Sequence, residues 1–281
     1  MKNKLIMASV AVCLVGLTAC KGNDDTATPN GPEFKLVTYS GHANYTLKGT
    51  AKLFDQQKDV VYTDSVSLII PEKIGDCDVS VLRDSILSKA LSMHGKPVRE
   101  CIDAWLDSSA VRQSWLAERI SDSIALADSD MQQGFDIVSG FIVNLTPDML
   151  VYCVKFDSYA PGAAHGLSGT RHLNYTLEGK GSLLTLDKLF TPQGLKELPV
   201  RIAEQAEAMS DLIGATTVTA LPEDGDFYIS SEGEIVFSYQ PYEIASYAQG
   251  IIDIPFYPYE LLEYMTPYAV ELFNLQDLDQ K

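Results

Sequence analysis

The chain has 281 residues, 46% hydrophobic and 21% charged. That balance excludes a disordered chain, which cannot bury enough apolar surface to offset its ordering entropy, and a multi-span membrane protein. Its 21 lysines and arginines stand against 38 aspartates and glutamates, a net charge of −17. A surface this acidic repels phosphate backbones, which excludes nucleic acid, and speeds encounter with a cationic partner.

Lys2 and Lys4 precede an uncharged run, Leu5 to Leu17, rich in Val, Leu and Ala. Its length is that of a signal-peptide core and too short to span a bilayer as a helix. It ends in Leu17-Thr18-Ala19-Cys20, which resembles a bacterial lipobox, so residues 1–19 read as a lipoprotein signal peptide and Cys20 as the lipidated residue. The stretch 20–33 holds no aliphatic side chain larger than Ala and reads as a flexible tether. Asp24 and Asp25 resemble the acidic export signal of surface lipoproteins of the Bacteroides type. The expectation is a folded body held in the cell envelope, at the outer membrane, by its lipid alone.

Phe34–Leu53 and Val60–Ile70 are rich in β-branched and aromatic residues and predict an antiparallel hairpin, with Asp55–Asp59 as a loose loop and Pro71 as the stop. Val79, Leu82, Ile86, Ala90 and Met93 recur at helical spacing, and His94-Gly95-Lys96-Pro97 breaks that helix. A second helical stretch runs from about Val98 to Ala127, with a bend allowed at Ser108-Ser109. Alternation returns over Phe135–Leu145 and Leu150–Phe156, and a further strand carries Leu173, Tyr175 and Leu177 on one face and His172, Asn174 and Thr176 on the other. Gly179-Lys180-Gly181 reads as a hairpin turn, and Pro192–Ser210 as a helix capped by Thr191. Short strands at 227–229, 234–239 and 251–255 and a short helix near 259–265 complete the chain. Segregated strands and helices predict an α+β fold, with antiparallel sheets in two small packed subdomains, 34–157 and 158–281.

Once Cys13 leaves with the leader and Cys20 takes lipid, Cys77, Cys101 and Cys153 remain. Cys77 and Cys101 flank the first helix and are a candidate disulfide, while Cys153 sits in an apolar strand as a buried thiol. Neither a metal site nor a cofactor motif emerges. His165 and His172, seven residues apart, face opposite ways on a continuous strand, and read as a loop histidine and a strand-surface histidine. Gly166-Leu167-Ser168-Gly169 lacks the spacing of a nucleophile elbow. Pro222–Asp226 holds three carboxylates but not the calcium-loop pattern, and reads as a surface turn. Eleven aromatics fall between Phe227 and Tyr268, suited both to a core and to an interface or glycan-stacking face. If polar groups converge anywhere, the place is the His165 loop with Tyr242 and Glu243, the candidate ligand-binding residues.

The run Tyr159–Gly166, the strand ending Asn174-Tyr175-Thr176-Leu177, and Leu184–Phe190 together resemble the central signature of the RsiV-like extracellular domains. Ile235–Ala245 followed by Gly250–Phe256 is similar to that family's C-terminal signature, and the half 34–157 is similar in element order to its companion domain. The resemblance implies a non-enzymatic binding module. In the namesake, an anti-sigma factor, this region binds lysozyme. Ligand binding alone carries over, with a cationic lysozyme-type protein as leading ligand and a glycan or peptidoglycan, stacked on exposed tyrosines, as alternative.

Overall fold

The computed structural model describes residues 7–13, 34–53, 56–108, 133–161 and 163–276. Cys20, the whole of the tether and the far part of the second helical stretch lie outside these. The architecture is α+β with open, mainly antiparallel sheets. It divides into two compact units, one of Met1–Phe141 with Val154–Ser168, the other of Ile142–Cys153 with Gly169–Lys281. Among the described residues no helix is long and apolar enough to cross a membrane.

In the first unit β1 (Met7–Cys13), which falls inside the stretch expected to leave as the signal peptide, runs antiparallel along β2 (Phe34–Leu53), and β2 pairs antiparallel with β3 (Gln56–Ile74). The ladder continues through Ala51 opposite Lys58 and Leu53 opposite Gln56, so the expected loose loop is mostly strand. Backbone pairing needs no apolar side chain, and the polar composition hid it. Nor does Pro71 end β3. The register shifts opposite it, between Lys35 and Leu36, and the irregularity accommodates the N–H that proline lacks. Val60, Tyr62, Val66, Leu68 and Ile70 alternate along the buried face of β3. The helix α1 (Ser80–Leu91) buries Leu82, Ile86 and Leu87, and α2, described over 98–108, buries Ile102, Trp105 and Leu106. A Cβ on Gly41 of β2 would lie 2.8 Å from Leu106 Cδ1, so its absence lets α2 approach the strand. Arg99 of α2 donates to Ser40 O at 2.9 Å.

No disulfide joins Cys77 to Cys101, contrary to the candidate pairing. The Cys101 thiol is buried and donates to Lys96 O at 3.9 Å, inside the turn that opens α2. A second departure is β4 (Gln133–Leu145), which pairs parallel with β3, Thr63 opposite Phe135 and Leu68 opposite Gly140. Parallel neighbours need a long crossover, and the helical segment after Ile74 supplies it. Ile137 and Phe141, from the alternating apolar row of β4, stay more than a third exposed.

The second unit uses the Met149–Cys153 end of β5 (Met149–Tyr159), most of β6 (Leu167–Thr176), and β7 (Ser182–Leu184), antiparallel to β6. The β6–β7 turn needs glycine at 181, where φ is +77° and a Cβ would meet the Tyr175 ring at under 3 Å. After the short α3 (Leu186–Leu189) comes α4 (Gly194–Ala208), which buries Leu198, Ile202 and Ala206 at four-residue spacing. Thr191 caps it as expected, its Oγ1 accepting from Gly194 N at 2.9 Å. A second sheet follows α5 (Ser210–Ile213), in the order β10 (Ile252–Phe256), β9 (Ile235–Tyr239), β8 (Phe227–Ile229), all antiparallel. A 3-10 turn over Pro258–Tyr264 and α6 (Pro267–Leu272) close the unit. Phe237 lies at its centre, edge-on to Phe256 at 5.9 Å and tilted against Phe190 at 6.2 Å. Such fully buried side chains each contribute about 1.5–3 kcal/mol by leaving water.

Gly194→Ala sets helix propensity against sterics. Alanine gains about 1 kcal/mol in a helix, but its Cβ would stand 2.5 Å from Tyr264 O, a backbone atom that cannot swing aside. The clash wins, and urea unfolding should show a net loss of about 1–3 kcal/mol. Gly95→Ala, where φ is +68° and nothing lies within 4 Å, should lose only about 1 kcal/mol.

Candidate functional site

Asp226 lies between the 3-10 turn Glu223–Gly225 and β8, with its side chain 2% exposed. A buried carboxylate is tolerated only when its oxygens are satisfied. The backbone N–H of His172 donates to Oδ1 at 2.7 Å, and His172 Nδ1 lies 3.3 Å from Oδ2. Gln240 Nε2 donates to Oδ2 at 3.4 Å, and the Gln240 Oε1 accepts from Thr170 N at 2.8 Å. The surface turn expected at 222–226 therefore holds for Glu223 and Asp224 but not for Asp226, which faces inward.

His172 is likewise not the strand-surface histidine expected from alternation, because its side chain is 7% exposed. The polar face of β6 is covered by β8. Asn174 makes that contact with one amide, Nδ2 donating to Phe227 O at 2.8 Å and Oδ1 accepting from Ile229 N at 3.0 Å. The side chain thus takes the place of a neighbouring strand's backbone. The His172 ring lies 4.5 Å from that of Tyr228, whose hydroxyl donates to Asp253 at 3.0 Å. Burial alone would lower the imidazole pKa. Hydrogen bonds to Asp226 and to Cys153 on β5, with the charge of Asp226, outweigh it and hold the group at about 9.

This post fixes the turn after β9. Glu243 N donates to Gln240 O at 3.1 Å, and Gln240 N donates back to Glu243 Oε2 at 3.1 Å. Between them Tyr242 is held at φ +76°, a conformation costly for a bulky residue, and is 62% exposed. Its ring packs on Tyr247 at 5.5 Å. Glu243 Oε1 also accepts from Glu223 N at 3.1 Å, tying the turn to the acidic one. Burial pushes the Glu243 carboxyl upward, while those two backbone N–H groups and Arg171 oppose it. Arg171 lies 3.6 Å from Glu223 and 3.7 Å from Asp224, carboxylates that are 71% and 59% exposed.

Of the candidate residues, Tyr242 and Glu243 are thus neighbours in one built turn of the second unit. His165 belongs to the first unit, exposed in the loop before β6, its Nδ1 2.8 Å from Gly166 O. No group of three or more His, Cys, Asp or Glu among the described residues could hold a metal. Asp226 and Gln240 escaped the sequence reading, since an aspartate after a glycine in an acidic run gives no sign that it turns inward.

The comparisons bear on this same region. Residues 187–260 match the model of a family described as a protein of unknown function, DUF3298, a stretch that includes Asp226, Tyr242 and Glu243. Among solved structures the chain is similar to a DUF3298 family member from Bacteroides fragilis, at TM-score 0.56 and 18% identity over 82% of this chain and 94% of that one. It is also matched to a DUF3298 family protein from Pseudomonas aeruginosa PAO1, at TM-score 0.49 and 12% identity over 82% and 95%. The first likeness is one of fold. No match was found among the curated proteins.

His172 gives the site a pH signature. Its folded pKa of about 9 lies above the unfolded value of about 6.5, so its stabilisation is complete below pH 6.5 and is lost as pH rises through 9. Thermal unfolding of the protein should show a falling Tm from pH 7 to 10. In His172→Gln that slope should flatten and neutral-pH stability should drop by a few kcal/mol.

Proposed function

We propose that this protein is a non-enzymatic binding module of the bacterial cell envelope, anchored through a lipid on Cys20, and that its ligand is a cationic protein of the lysozyme type. The observation that carries the reading is the turn Gln240–Glu243, which presents Tyr242 in a strained, exposed conformation. Beside it stand the carboxylates of Glu223 and Asp224. Strain of this kind persists only where surrounding structure enforces it, and it gathers at functional positions. A tyrosine with little freedom to lose, flanked by negative charge, suits a positively charged protein surface. The net charge of −17 supplies the long-range attraction. The likeness of 159–190 and 235–256 to the RsiV-like ectodomains points to the same ligand class. Lys2, Lys4 and the run ending at Cys20 support the anchor.

The test is a calorimetric titration with lysozyme at about 0.15 M salt, where surface charges are screened beyond ~8 Å, with muramidase activity followed alongside. An unrelated protein of equal net charge is the control. Saturable binding absent from the control is expected. Tyr242→Ala should weaken it about tenfold or more, and Glu223→Gln with Asp224→Asn should weaken it and reduce its salt dependence. Equal binding by the acidic control, or none by the protein, would remove this function. Loss of muramidase activity on binding would make the module a blocker as well as a receptor.

A further inference from the structure

The second unit carries another aromatic feature, away from the Gln240–Glu243 turn in sequence and in the elements that build it. Tyr257 and Tyr259 follow β10 and are 47% and 56% exposed. Their rings stack on one another, parallel to within 5° and with centroids 5.7 Å apart. The backbone beneath them is fixed at three points. Tyr257 N donates to Glu260 Oε2 at 2.8 Å, Glu260 N donates to Tyr257 O at 2.9 Å, and Pro258 locks its own φ between them. Leu261, in the same turn, is fully buried and anchors it to the core. Arg201 of α4 lies 3.7 Å from Glu260 Oε1, with its guanidinium 5.0 Å from the Phe256 ring, which ties the turn to α4.

We infer that the stacked pair Tyr257 and Tyr259 presents an outward aromatic face that binds a pyranose ring of a glycan chain. An aromatic face is electron-rich, and the axial C–H groups of a pyranose present the matching positive edge, so the two stack without any formal charge. The hydroxyls round a sugar need polar partners, and the tyrosine hydroxyls, on exposed side chains, provide donors and acceptors. Nucleobase stacking needs a basic groove along the backbone, which a chain of net charge −17 does not offer. The backbone that carries the rings is pinned before a ligand arrives, so it loses little entropy on binding. This inference does not depend on lysozyme recognition at Tyr242.

The test titrates the full-length protein with chitotetraose and, in a separate arm, with maltotetraose, by calorimetry at about 0.15 M and 1 M salt. Saturable binding of either sugar, unchanged by salt, is expected, and the arm that binds identifies the glycan as a β-linked amino sugar or an α-glucan. Tyr257→Ala with Tyr259→Ala should lower affinity about tenfold or more, and the paired phenylalanine variant should retain most of it, since it keeps both ring faces. Tyr242→Ala should leave sugar affinity unchanged, which separates this site from the lysozyme reading. Should the double alanine variant melt early, Tyr259→Ala alone, at the more exposed ring, decides the point. Absence of saturable binding with both sugars, or binding that survives loss of the rings, overturns the inference.

Discussion

A carboxylate that folding removes from water must be matched by donors. Asp226 meets that demand with a backbone N–H, an imidazole and an amide. Each of those donors is committed elsewhere in the second unit. His172 lies on β6 and packs on Tyr228, Gln240 closes β9 and holds Thr170, and Asp226 O accepts from Ser238 N at 3.1 Å. Breaking a buried ion pair by removing one partner costs about 3–5 kcal/mol, because the other charge is left behind. The register of β8 on β6, and the position of the turn that carries Tyr242, are therefore set together.

The same constraint explains what the sequence could and could not reveal. Regular alternation gave β5 and β6, the Thr191 cap and four-residue apolar spacing gave α4, and Gly179-Lys180-Gly181 gave the β6–β7 turn, because each is a local signal. The inward turn of Asp226 and the burial of His172 are consequences of β8 lying over β6, which no local pattern encodes. Asn174 shows why: on a strand it reads as one more polar residue of a solvent face, yet it binds two backbone groups more than fifty residues away. Tyr242 and Glu243 were singled out by residue chemistry alone. The strain at Tyr242 was not, since its neighbours in sequence do not announce a left-handed residue. Pro71 misled in the opposite direction. A proline usually stops a strand, but opposite an irregularity in the partner it is carried along.

Two kinds of tyrosine thus emerge in one unit. Tyr239 is buried, with its hydroxyl donating to Ala220 O at 2.8 Å, and burial pushes its pKa up. Tyr242, Tyr257 and Tyr259 are exposed on turns that side-chain carboxylates hold from beneath, Glu243 for the first and Glu260 for the others. In both turns the carboxylate accepts from the backbone, Glu243 from two N–H groups and Glu260 from one, so acidic residues do structural duty where composition alone would assign them to surface charge.

The make-up of the two units has a consequence for how the chain folds. Each is assembled from two separate stretches, and β3 waits for β4 across a crossover of nearly sixty residues. Pairing of that kind raises contact order and slows folding, since loop entropy is lost before any contact rewards it. A chain emerging from its N-terminus leaves β3 without its parallel neighbour until residues 133–140 arrive, and a cut near residue 157 would leave both units short of a strand segment.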